Sequence, residues 1–139
     1  MPATLHAINQ NLLYDFGRTE YTSGCAPAIY YVGLSTTVLD TSASVIAEPA
    51  DAVYVRVPYA NTAANWDAPV AGSIVNTTSA SFMQSTEAWG TFYSMFLADG
   101  KIDAAGSKVW YYQILSPALI IGNNTIITLD EGTITATKT

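Results

Sequence analysis

The side chains able to do catalytic chemistry are few and scattered. His6 is the only histidine and Cys25 the only cysteine of the 139 residues. A Ser-His-Asp or Cys-His arrangement needs an imidazole oriented within hydrogen-bonding reach of its nucleophile. His6 sits near the start of the chain with no partner pattern beside it, so it reads as a surface or interface histidine. Cys25 has no second cysteine to pair with and reads as a small buried hydrophobe. One histidine and one cysteine cannot close a zinc site. Asp99, Asp103, Asp130 and Glu131 could ligate calcium, but the run Asp99-Gly100-Lys101-Ile102-Asp103 lacks the ligand density of an EF-hand. Asp and Gly at those positions serve a hairpin turn instead. Asp67 beside Trp66 and Glu87 near Trp89 are acid–aromatic pairs of the sort found in glycoside hydrolysis and sugar binding. Aromatic residues in those places also fill cores. No Gly-rich phosphate loop is present. The expectation is no catalytic residue, no cofactor, no metal and no enzymatic activity.

Any site therefore depends on what the chain builds around these residues. Trp89-Gly90-Thr91-Phe92-Tyr93-Ser94-Met95-Phe96-Leu97-Ala98 and Lys108-Val109-Trp110-Tyr111-Tyr112-Gln113-Ile114-Leu115 flank a short segment holding Gly100, Asp103 and Gly106. Two aromatic-rich apolar runs around turn residues predict strand, loop, strand. Residues 28–36 read as a strand covered on both faces. Val53, Val55, Val57 and Tyr59 share one face of a strand, and Tyr54 and Arg56 the other. Pro58 cannot donate to a ladder, which places that strand at a sheet edge or ends it there. Residues 73–82 alternate again, with Ile74, Asn76, Thr78, Ala80 and Phe82 on one side. Residues 119–121 and 126–129 flank Gly122-Asn123-Asn124-Thr125, a strong turn signal, and residues 133–137 close the chain as an edge strand with Lys138 at its tip. Before these strands, Ile8, Leu12 and Phe16 share a face at four-residue spacing, which predicts a short helix over residues 7–16 ending at Gly17.

Seven or eight short strands separated by turns predict an all-β fold, a single-domain β-sandwich or jelly-roll-like barrel. The expected organisation is an N-terminal arm with a short helix over residues 1–24 and the β-sandwich domain over residues 25–139. The arm is expected to be mobile over residues 1–11 and to gain order on a neighbouring subunit.

Composition narrows the function. Half of the residues are apolar and only 12% are charged, against about 25% in ordinary soluble domains. Such charge depletion suits surfaces that pack against neighbours, so self-association is expected. The net charge is −6, and the five basic residues Arg18, Arg56, Lys101, Lys108 and Lys138 form no stripe. Direct nucleic-acid binding and binding to anionic membranes are therefore not expected. Nor is a secretory signal or a membrane-spanning helix expected from the sequence.

The order of these segments resembles a known family. Ala28-Ile29-Tyr30-Tyr31-Val32-Gly33-Leu34-Ser35-Thr36 is similar to the early strand motif of small tailed-phage virion proteins, often labelled tail-fibre-like. Tyr54-Val55-Arg56-Val57-Pro58-Tyr59 resembles their Tyr-x-Arg-x-x-Val segment. Asn76-Thr77-Thr78-Ser79-Ala80-Ser81-Phe82 followed by the Trp89-Gly90 pair and its apolar strand matches in order and spacing. Val109-Trp110-Tyr111-Tyr112-Gln113-Ile114-Leu115-Ser116-Pro117 resembles the family's Leu-Tyr-Tyr-Gly-x-Leu-Thr-x-Pro, with Gln113 where a glycine is common. Ala47-Glu48-Pro49-Ala50-Asp51 replaces the usual glycine-rich stretch. The likeness runs from about Leu12 to Leu129. It implies a structural component of a virion assembled in the bacterial host cytoplasm. Within that class a capsid decoration (cement) protein is the favoured expectation, bound to the major capsid protein or other virion proteins and self-associated, a trimer being one form that matches lattice symmetry. A neck, tail-tube or tail-fibre-base component is the first alternative. A carbohydrate-binding module using Trp66, Trp89 or Trp110 is the second.

Overall fold

A computed structural model describes residues 1–7, 27–68, 70–71, 73–101 and 107–137. Most of the expected helix over residues 7–16, together with Cys25, Asp103, Gly106 and Lys138, lies outside the described residues. Among the described residues eight strands follow one another as β1 (Ile29–Ser35), β2 (Val57–Ala60), β3 (Ser73–Val75), β4 (Ala80–Ser81), β5 (Gly90–Ala98), β6 (Val109–Ile121), β7 (Thr128–Leu129) and β8 (Thr135–Thr137). The fold is all-β, as expected. Its strands form a four-stranded antiparallel sheet in the order β2-β1-β5-β6 and two antiparallel ribbons, β3-β8 and β4-β7.

The sheet has a core on each face because β1 and β5 carry apolar residues at both parities. Tyr30, Val32 and Leu34 of β1 and Met95 and Leu97 of β5 face the larger core, with Trp66, Phe82, Trp89 and Ile134. Phe96 and Ala98 face the smaller one with Leu39 and Val109. Gly33 lies opposite Phe96. A Cβ on Gly33 would stand 2.3–2.9 Å from three atoms of the Phe96 ring, so the absent side chain is the space the ring fills.

Several boundaries differ from the sequence expectation. The alternation of residues 53–59 becomes strand only from Val57, and it lies at the sheet edge as Pro58 requires. Residues 73–82 split between two ribbons instead of forming one strand. β6 runs on through Pro117 to Ile121, pairing with β5 at both ends. Between Ser94↔Ile114 and Phe92↔Leu119 the register slips, leaving residues 115–118 as extra backbone in β6. The 122–125 turn therefore does not close a hairpin; it hands the chain from the main sheet to the β4-β7 ribbon.

Residues 1–7 also depart from the expected mobile arm. Pro2 bridges Thr137 and Ala3 bridges Tyr111. The Thr4 N–H donates to the Trp110 carbonyl at 2.8 Å, and its Oγ1 donates to the Val109 carbonyl at 2.5 Å. The Met1 amino group donates to the Thr135 carbonyl. Met1, Ala3, Thr4 and Ala7 are buried. The backbone groups freed at the outer edge of β6 give this segment partners within its own chain.

Candidate functional site

The buried polar residues serve as internal posts, and they are not the residues that sequence reasoning weighed for chemistry. Asp51, buried in the loop before β2, accepts from Trp89 Nε1 at 2.7 Å, Thr86 Oγ1 at 2.7 Å and the N–H groups of Thr86, Glu87 and Val53 at 2.8–3.2 Å. Burial acts to raise its pKa, but the Trp89, Thr86 and backbone donors outweigh it and hold the carboxyl far below the ordinary range. Nothing in the sequence near Asp51 announces this; the only clue is that a buried tryptophan needs a partner for its N–H.

A second post lies behind β1. Arg56, 2% exposed, grips Glu48 through Nε–Oε1 at 2.8 Å and Nη2–Oε2 at 2.9 Å. Its Nη1 donates to the Gly100 carbonyl at 2.8 Å, and its Cζ lies 4.9 Å from the Phe96 ring centroid. Tyr54 donates its hydroxyl to Glu48 Oε1 at 2.8 Å while accepting from the Leu34 N–H at 3.1 Å. Burial, reinforced by the Glu48 charge, pushes the Tyr54 phenol well above its usual range. The Tyr54-Arg56 pair noted in the sequence is thus one internal network, whose acidic member Glu48 carried no signal. Asn76, buried, plays the same part between β3 and the last turn. Its Nδ2 donates to the carbonyls of Thr78 and Asp130, and its Oδ1 accepts from the Ile134 N–H.

The three tryptophans are 5–7% exposed and none offers an open stacking face. Trp89 is tied to Asp51, and Trp110 Nε1 donates to Asp99 Oδ2 at 3.2 Å. Asp99 also accepts from the Lys108 N–H at 2.6 Å, closing the β5-β6 loop as expected of an Asp-Gly turn. Trp66 stands edge-on to Tyr59 with centroids 5.2 Å apart, and its buried Nε1 has no hydrogen-bond partner among the described residues. It borders a cavity of about 140 Å³ with Tyr30, Asn61, Ile74, Leu97, Tyr111 and Ala136. Asp67 and Glu87 are exposed beside these core tryptophans.

His6 packs edge-on against Trp110 at 5.0 Å, and burial lowers its pKa, with Asp99 opposing and Lys108 adding to the shift. Among the described residues no three His, Cys, Asp or Glu side chains gather as a metal site. No helix among them is long and apolar enough to cross a membrane.

The surface carries a different signal. Residues 109–129 hold no charged side chain. Ile120 is 77% exposed there, with Ile114, Leu119 and Ile126 also open to solvent. Large exposed aliphatic residues on an uncharged strand are a feature common to contact surfaces.

A family model matches residues 4–137, nearly the whole chain, and with the all-β fold it assigns the chain to the tailed-phage virion structural proteins. The family is described as Podophage GP4 fiber I protein gp80, and the chain belongs to it. No match was found among curated proteins.

Proposed function

We propose that the chain is a compact, non-enzymatic building block at the base of a podophage fibre, made and assembled in the host cytoplasm and held by other virion proteins. The observation that carries this reading is the match to a fibre protein family over residues 4–137. The uncharged, partly exposed run from Val109 to Leu129 supports it, since packed assemblies deplete charge at their contacts. The internal posts support it too: buried tryptophans, Asp51 and Arg56 stiffen the fold and leave recognition to its outer strands.

One observation favours a second reading, capsid decoration. The sequence has no repeated shaft-like segment. A decoration protein binds the assembled shell and not its parts, so it stabilises the shell by mass action, and repeated copies add avidity. Copies per particle, measured by quantitative mass spectrometry against the major capsid protein, separate the two. A few to a few tens is the expected result for a fibre base. A number comparable to the capsid protein would replace it with decoration, and absence from purified particles would refute both.

A further inference from the structure

We propose that the cavity beside Trp66 binds a small uncharged ring compound carrying a hydrogen-bond acceptor, with the Trp66 indole N–H as the donor that selects it. The proposal goes beyond the virion reading and does not rest on it.

The cavity lies where the β3-β8 ribbon meets the main sheet. Leu97 of β5 and Tyr111 of β6 are register partners and share a face. Tyr30 of β1 is on that face too, two residues from Val32, which is the other partner of Leu97. Ile74 and Ala136, register partners on the ribbon, supply a second wall. Asn61 and Trp66, from the loop after β2, complete the described lining. That loop is fixed by its own backbone. The Trp66 N–H donates to the Thr62 carbonyl at 3.1 Å, Trp66 bridges Asn76, and the Asn61 side chain donates to the Pro27 carbonyl at 3.0 Å. The site is therefore formed before any ligand arrives. Asn61 is exposed and marks its mouth.

The second observation is the orphaned donor. Trp89 Nε1 donates to Asp51 at 2.7 Å and Trp110 Nε1 to Asp99 at 3.2 Å. Trp66 is 5% exposed, and its Nε1 is the one buried side-chain nitrogen or oxygen among the described residues without a partner. A donor taken out of water with no acceptor loses the bond it had there. The cavity is the space bordering this ring, so a ligand that brings an acceptor recovers the bond, and one without an acceptor does not.

Size and charge set the rest of the ligand. The volume is about 140 Å³. An apolar cavity of about 150 Å³ accommodates benzene, so one six-membered ring fits and two do not. No described lining residue is charged, so an ion would give up its hydration for no counter-charge. Tyr30 stands edge-on to Tyr111 and to Trp66, with centroids 6.1 and 6.4 Å apart, and a third ring edge or face extends that arrangement.

Pyridine and benzene are matched probes, since they share a shape and only pyridine carries an acceptor. Nitrogen-15 NMR of the full chain at neutral pH follows the three indole N–H signals, with that of Trp66 assigned through its contact with the Tyr59 ring. Pyridine is expected to move the Trp66 signal downfield in a saturable way and to leave those of Trp89 and Trp110 in place. Benzene is expected to enter without a downfield shift. Ligand-observed titration of Trp66→Phe should show pyridine weakened about fivefold and benzene changed less than about twofold. Ala136→Leu, which fills the cavity, should abolish binding of both. A Trp66 signal unmoved at about 10 mM pyridine overturns the proposal. So do equal shifts of all three indoles, equal downfield shifts with benzene, or pyridine binding that survives Ala136→Leu. The wild-type titrations decide the matter even where a variant fails to fold.

Discussion

Gly33→Ala puts the packing of the smaller core to a quantitative test. The new methyl would stand 2.3 Å from Phe96 Cζ, 2.6 Å from Cε2 and 2.9 Å from Cε1. Ordinary carbon–carbon contact begins near ~3.5 Å, so the ring must retreat by about 1 Å. It has little room to do so, because Phe96 is fully buried and the Arg56 guanidinium covers it. Overpacking of this kind costs about 1–3 kcal/mol. Disturbing the guanidinium–ring contact adds about 0.5–2 kcal/mol. The removal of glycine from a strand returns about 0.5–1 kcal/mol. The net loss is about 1–4 kcal/mol, or roughly 4–16 °C in melting temperature for a domain of this size. Denaturant unfolding followed by tryptophan fluorescence measures it. Phe96→Leu in the same chain should relieve the clash, so that the double variant is more stable than the two single losses predict by at least about 1 kcal/mol. A Gly33→Ala chain within about 0.5 kcal/mol of wild type, or strictly additive losses, would refute the reasoning.

Two further outcomes follow from the internal posts. Because the Asp51 carboxyl is held below its unfolded value, its contribution to stability is complete above the unfolded pKa and drains away as pH falls through that value toward the folded one. Acid unfolding from about pH 5 downward, read by Trp89 fluorescence, should therefore be steeper in wild type than in Asp51→Asn, and parallel curves would contradict the network around Trp89. Thr4→Val keeps the shape of a buried side chain but leaves the Val109 carbonyl without its hydroxyl donor, so it should cost about 1–2 kcal/mol in equilibrium unfolding. A truly mobile arm would show no change.

The parts of the fold that were legible in the sequence are those with strong local pattern. β1 and β5 are continuous apolar runs, and the Asp99-Gly100 turn, the edge position forced by Pro58 and the closing strand at residues 135–137 all come from signals carried within a few residues. The misreadings arise where a local signal does not say which sheet it serves. Gly122-Asn123-Asn124-Thr125 turns the chain as its composition demands, yet the strands on either side join different sheets. The alternation of residues 53–56 is real, but Tyr54 and Arg56 use it to reach Glu48 and not to pair with a strand. Residues 1–7 looked like an arm because their partners, at residues 109–112 and 135–137, lie more than a hundred residues away. The candidate surface was legible only as low charge; which residues stand out from it depends on the β6 register, which composition does not encode.

The pairing of the first residues with the last has a consequence for the order of events during synthesis. Thr4 bonds to Val109 and Trp110, and the carbonyl of Met1 accepts from the Thr137 N–H at 2.8 Å. At a translation rate of about 5–20 residues per second, residue 137 is made roughly 7–27 s after residue 4. Thr4 finds Val109 and Trp110 some seconds before Met1 and Pro2 find Thr135 and Thr137. The segment over residues 1–7 is therefore set in two steps, against β6 first and against β8 last.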